Sequence, residues 1–191
     1  KPKLILKTPS EISDFVVCGD LFVTATYSHD IILSDKRVLR KSQAPGILPS
    51  VCSSLAFQDP KNLVAGYLDT TSGIWDLTDG KFNPFPSVKS EQFNPSVVHS
   101  VASYSKSSQS SSLFTDNFTA VARQTGLCVY QNSKLIINSL LEHDGAVQVV
   151  TFAECFDTPH TVSGAADGSL MVFDCINLKP LDCLTIDDEK I

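Results

Sequence analysis

Ser163-Gly164-Ala165-Ala166-Asp167-Gly168-Ser169-Leu170-Met171-Val172-Phe173-Asp174 reads as two short strands joined by a tight turn. The opening Ser-Gly-Ala-Ala carries little side-chain bulk, so a neighbouring sheet can approach that strand closely. Asp167-Gly168-Ser169 supplies turn chemistry: a carboxylate that can accept nearby backbone N–H groups, and a glycine that tolerates positive φ. Leu170-Met171-Val172-Phe173 is then an apolar strand, stopped by Asp174.

The same order recurs upstream. Thr24-Ala25-Thr26-Tyr27-Ser28-His29-Asp30 leads into Ile31-Ile32-Leu33-Ser34-Asp35, and Ala65-Gly66-Tyr67-Leu68-Asp69-Thr70-Thr71 into Gly73-Ile74-Trp75-Asp76. Ala120-Val121-Ala122-Arg123-Gln124-Thr125-Gly126 leads into Leu127-Cys128-Val129-Tyr130-Gln131. These segments end at 35, 76, 131 and 174, so they lie 41, 55 and 43 residues apart. The long interval holds a serine-rich insertion at 105–116. Setting aside roughly a dozen residues there returns it to the ~40–45 of a propeller repeat.

Each unit has a further β-type stretch before it, at 12–18, 50–57, 97–104 and 147–152, and a weaker one after it, at 37–41, 82–85, 135–140 and 181–186. These runs are rich in Val, Ile, Thr and aromatic residues between Gly, Asp, Asn, Pro and Ser. Four strands recurring four times predict an all-β fold, a β-propeller segment of about four four-stranded blades filling 1–191. The blades are expected at about 10–42, 47–86, 95–141 and 142–187. A β-sandwich would not need the same four-strand pattern to return at this interval.

A propeller hides its sheet edges by closing into a ring, typically of four to eight blades. The stretch 3–7 adds a leading strand without a blade of its own. The chain is therefore expected to be part of a larger ring, or an open ring completed by another subunit; an irregular four-blade ring is the third possibility. Because the sequence starts at Lys1 and not at Met, the first of these is preferred.

Composition narrows the function. With 42% hydrophobic and 19% charged residues and a net charge of −6, the chain is globular and lacks the basic face of a nucleic-acid binder. Lys36, Arg37, Arg40 and Lys41 form its one basic cluster, read as a solvated edge. No apolar run reaches the ~18 residues of a membrane span. Cys18, Cys52, Cys128, Cys155, Cys175 and Cys183 form no CxxC pair and are read as reduced residues of an intracellular protein, cytoplasmic or nuclear. On that reading the sequon Asn117-Phe118-Thr119 is a chance match. His29, His99 and His160 have no metal-ligand spacing, and no cofactor or metal is expected. Ser42-Gln43 and Ser108-Gln109 match the preference of some kinases.

With these residues in view, the sequence resembles the WD-repeat family, so the fold class it implies is a WD40-like β-propeller. The fourth unit is similar to the family's small-residue strand, Asp turn and Trp-Asp ending, with Phe173 in place of Trp. Glu142-His143-Asp144-Gly145 resembles its Gly-His opening with Glu for Gly, and the second unit keeps the pair itself as Trp75-Asp76. The first and third units match in spacing more than in letters. The resemblance implies a structural hydrogen-bond network made by His143, Ser163 and Asp167. The same three residue types could suggest a catalytic triad, but Ser163 lies mid-strand without a Gly-x-Ser-x-Gly elbow.

The resemblance also implies that partners dock on the face formed by the turns between second and third strands. Tyr27, Leu68, Arg123 and Ala166 take the matching exposed positions, and Tyr27 and Arg123 are the expected contacts because Tyr and Arg are strong anchors. The implied function is a non-catalytic scaffold for protein–protein interaction in a multiprotein complex. The alternative is a peptide- or substrate-recognition subunit of a modifying complex, such as a ubiquitin ligase or a chromatin-associated assembly. Catalysis is not expected, although propellers do host it.

Overall fold

The computed structural model describes residues 7–35, 50–86, 97–105, 117–124, 126–139, 143–155 and 158–185. Strands β1 (Ile12–Cys18), β2 (Leu21–Thr26) and β3 (Ile31–Asp35) form the first sheet. The second holds β4 (Cys52–Asp59), β5 (Asn62–Tyr67), β6 (Ser72–Asp76) and β7 (Lys81–Pro84). The third holds β8 (Val98–Tyr104), β9 (Phe118–Arg123), β10 (Gly126–Gln131) and β11 (Lys134–Ser139). The fourth holds β12 (Val147–Cys155), β13 (Thr158–Ala165), β14 (Ser169–Asp174) and β15 (Lys179–Thr185).

Within each sheet, strands pair antiparallel in chain order, so the all-β expectation holds and the four sheets are propeller-like blades. The expected strand at 37–41, most of that at 3–7 and the body of the serine-rich insertion, with Ser42 and Ser108, lie outside the described residues. Among the described residues no helix is long and apolar enough to cross a membrane.

Three cores join neighbouring sheets. Val23, Ala25, Cys52, Leu55, Leu63 and Trp75 pack between the first and second. Val64, Phe85, Val98, Val101, Val121 and Tyr130 fill the second junction, where the Phe85 and Tyr130 rings stack with centroids 4.3 Å apart. Phe118, Val129, Val147, Val150, Met171 and Phe173 fill the third. This sandwiching explains why β5 and β9 are buried on both faces and carry small or β-branched residues. Among the described residues no buried cluster joins the fourth sheet to the first, so the sheets form a row with two outer faces.

One irregularity repeats in all four. A β-bulge interrupts the start of each first strand, between Ile12 and Asp14, Cys52 and Ser54, Val98 and Ser100, and Val147 and Val149. A bulge leaves one residue unpaired and shifts the alternation of faces. It sets up a rung between sheets. Leu55 N–H donates to Asp14 Oδ2 (2.7 Å), Val101 N–H to Ser54 Oγ (3.1 Å) and Val150 N–H to Ser100 Oγ (3.4 Å). Each of the first three sheets thus supplies, at the position after its bulge, the acceptor for a backbone donor of the next.

Candidate functional site

His143 precedes β12 and reaches the turn between β13 and β14 of its own sheet. Its Nε2 lies 2.9 Å from Ser163 Oγ, and its Nδ1 is in hydrogen-bond contact with Ser169 Oγ. Ser169 Oγ donates to Asp167 Oδ1 (2.6 Å), which also accepts the Ser169 N–H (2.9 Å). Asp167 Oδ2 accepts the Gly145 N–H at 2.9 Å. The structure therefore brings His143 and Ser163 together and reaches Asp167 through a residue the sequence reading did not include, Ser169.

Donor accounting orients this chain. Ser169 spends its proton on the carboxylate, so its oxygen accepts from His143 Nδ1–H. In the neutral ring Nε2 is then the acceptor, and Ser163 donates to it. Gly145 is required where it stands: a Cβ there would lie 2.6 Å from Asp167 N, closing the space in which the loop meets the turn. The Ser169 hydroxyl, then its N–H, and the N–H groups of Gly145 and Asp144 hold the Asp167 carboxyl well below the usual carboxylate range.

This arrangement ties the loop before the fourth sheet to its central hairpin. Ser163 is fully buried, and Asp167 accepts from the Ser169 hydroxyl and from backbone donors. A triad needs a nucleophile that substrate can reach, and the buried Ser163 hydroxyl is not one.

The second sheet solves the same problem differently. Trp75 Nε1–H donates to Tyr67 Oη at 2.7 Å, and Phe82 packs on both rings, 5.1 Å from Trp75 and 5.5 Å from Tyr67 between centroids. Asp69 occupies the place of Asp167 and accepts the Thr71 N–H at 3.0 Å. In the first sheet, Ser28 takes that place: its N–H donates to Ser10 Oγ (3.1 Å) and its hydroxyl to Asp30 Oδ2 (2.9 Å).

The Asp that ends β6 or β14 acts at the opposite end of the sheet. Asp76 Oδ1 accepts the Thr78 N–H (2.7 Å), and Asp174 Oδ1 accepts those of Ile176 (2.8 Å) and Asn177 (3.0 Å). Both aspartates close the hairpin into the fourth strand, as side chains that mimic a backbone turn.

The candidate contact residues separate. Tyr27 is 54% exposed and Leu68 41%, whereas Arg123 is only 7% exposed, which corrects the expectation that it stands on the surface. Its guanidinium crosses to the second sheet, donating from Nη1 to Thr70 O (2.6 Å) and from Nη2 to Ser72 Oγ (3.0 Å). The cause is a shorter hairpin: Arg123 pairs directly with Gly126, whereas Gly66 pairs with Ser72 across a longer turn. Backbone bonds show the true equivalents. Tyr27, Leu68, Gln124 and Ala166 each donate N–H to the residue preceding their sheet's first strand, at Glu11, Val51, Val97 and Ala146 respectively. Gln124 is the exposed residue of the third sheet. A one-residue slip moves a side chain to the other face, and it carries Arg123 inward.

Among the described residues, no group of three or more His, Cys, Asp or Glu could hold a metal ion. Cys18, Cys52, Cys128 and Cys175 are free thiols. Burial pushes the Cys52 thiol up to about 12 and raises Cys128 and Cys175 as well, which suppresses thiolate chemistry there.

Neither a protein-family profile nor a curated protein matches the sequence. The fold is similar to that of a solved structure of the computationally designed Ika8 protein, with a TM-score of 0.72 and 20% identity over 93% of this chain. The chain spans 50% of the length of that structure.

Proposed function

We propose that the chain is a segment of a WD-type β-propeller and serves as a non-catalytic scaffold, holding protein partners in a multiprotein assembly inside the cell. The observation that carries this reading is the aligned turn face. One exposed residue from each sheet, Tyr27, Leu68, Gln124 and Ala166, stands on the same backbone bond at the same end of its sheet. Behind that face, Arg123 bonds Thr70 O and Ser72 Oγ, and His143 bonds Ser163 and Ser169. Tyr27 offers the aromatic contact area that protein partners use, and Leu68 adds exposed apolar surface.

Quantitative co-purification with the chain from cells tests it. A stoichiometric protein partner, retained by wild type and lost from Tyr27→Ala/Leu68→Ser, is the expected result. The absence of any such partner sinks the reading, and so does a partner set that ignores the double variant.

A further inference from the structure

The two outer faces of the row are built like its inner junctions. Ile12 takes, by its bulge, the place of Cys52, Val98 and Val147, which are 1%, 0% and 0% exposed beneath the preceding sheet; Ile12 is 50% exposed. Phe15 takes the place of Leu55, Val101 and Val150, exposed by 4%, 6% and 4%; Phe15 is 63% exposed. At the other end, Val149 takes the place of Ser54 and is 56% exposed where Ser54 is 9%. Gly164 stands where Gly66 stands. A Cβ on Gly66 would overlap Val98 Cγ1 of the next sheet, but one on Gly164 would meet only Val149 Cγ1 of its own sheet, 3.1 Å away. The fourth sheet thus keeps the small-residue seat on which a following sheet rests, and the first sheet keeps the apolar residues that would sit in it.

The polar rung is missing from both ends in a matched way. Inside the row, each incoming sheet brings a backbone N–H that needs an acceptor, and the preceding sheet supplies one from Asp14, Ser54 or Ser100. The fourth sheet has Val149 there and supplies none. A sheet built like the inner ones would leave its N–H buried and unpaired against this valine, a costly loss. The first sheet does not need the acceptor, because Phe15 N–H already donates to Asp14 Oδ1 of its own sheet at 2.8 Å.

We infer that a second copy of this chain packs its first sheet on the fourth sheet of the first copy. Two such head-to-tail junctions close a two-fold ring of eight sheets. Ile12 and Phe15 enter the seat formed by Val149 and Gly164, an apolar continuation of the three junctions inside the chain. The inference rests on the propeller reading above. A head-to-tail contact closes only when its rotation divides the circle; otherwise it extends into a filament.

Sedimentation velocity of the 191-residue chain, over rising concentration, reads the outcome. The expected mass is twice 20.7 kDa. Phe15→Asp and Val149→Asp each fall to the monomer mass with wild-type circular dichroism, because both side chains lie on exposed positions. An equimolar mixture of the two variants regains the doubled mass, since one junction then has both faces intact. Phe15→Ser and Val149→Ser serve where an aspartate variant does not fold. A wild-type monomer overturns the inference. So do variants that stay dimeric, loss of the dimer in only one of the two, or growth beyond two copies. A monomer that still holds partners through Tyr27 and Leu68 overturns the second copy alone and leaves the scaffold reading intact. A dimer without protein partners does the reverse.

Discussion

The second and fourth sheets both carry the most family-like letters, yet they are held by different chemistry and sit in different surroundings. In the second, an indole donates to a phenol within an aromatic cluster, and sheets press on both faces. In the fourth, an imidazole links two serines and an aspartate, and one face is open. Gly66 and Gly164 occupy the same place in the two sheets. The difference shows that the repeat prescribes positions (small residue, turn aspartate, strand-ending aspartate) while the bonds that fasten each hairpin are chosen locally.

One methyl group added to each glycine should separate the two sheets most widely. Gly66→Ala drives a Cβ into Val98 Cγ1 and to 3.0 Å from Val101 Cγ1, so overpacking costs about 2–3 kcal/mol. Gly164→Ala meets only Val149 Cγ1 at 3.1 Å and changes stability by less than about 0.5 kcal/mol. Chemical denaturation at low protein concentration measures both. Equal losses would mean that the second and fourth sheets are equally covered.

The fastenings come next. Trp75→Phe removes the donor to Tyr67 Oη and leaves a gap beside Phe82, at a cost of about 2 kcal/mol. His143→Ala removes two bonds and strands the buried Ser163 hydroxyl, at about 1–2 kcal/mol. Because the two sheets share no fastening residue, the double variant should lose the sum of the single losses to within about 0.5 kcal/mol. Thermal melting and urea titration of the four proteins check both size and additivity.

Much of this was legible in the letters. The interval between the strand ends at 35, 76, 131 and 174 located all four hairpins, because turn chemistry and apolar alternation are local properties. Ser169 was missed although it follows Asp167 by two residues; its place is filled by Thr71 in the second sheet and Asp30 in the first, so no single letter marks it. Arg123 was misplaced because the third hairpin turns in fewer residues, and an alignment by letters hides a one-residue shift that reverses the side chain. The open faces were illegible for a different reason. Phe15 and Leu55 are both apolar residues in a first strand, and only the presence of a neighbouring sheet separates them.

Acid separates the two fastenings further. Asp167 joins the fourth sheet's fastening through Ser169, whereas the Trp75–Tyr67 bond of the second involves no carboxylate, and the native form of Asp167 is depressed by the Ser169 hydroxyl and surrounding N–H donors. Its contribution is complete above the unfolded-state value of about 3.9 and disappears as pH falls through the lower native value. Asp167→Asn should therefore be less stable than wild type at neutral pH, with the gap narrowing below about pH 4. Trp75→Phe should show no such convergence. A gap of constant size for Asp167→Asn from neutral to acid would mean that the carboxylate charge does not fasten this turn.

The smallest effect lies at the third residue of the turn that precedes β6 or β14. Thr70 has φ 82° and Gly168 has φ 80°, a left-handed conformation that a β-branched side chain resists and glycine does not. Only the backbone oxygen of Thr70 is used by Arg123, so removing the side chain leaves that bond in place. Thr70→Gly relieves strain but adds freedom to the unfolded chain, and the balance should be a gain of about 0.5 kcal/mol. The reciprocal Gly168→Thr imposes the same strain on the fourth sheet and should lose about 1 kcal/mol. Melting temperatures moving in opposite directions for the two variants would establish that the turns are geometrically one and differ only in how their sequence meets that geometry.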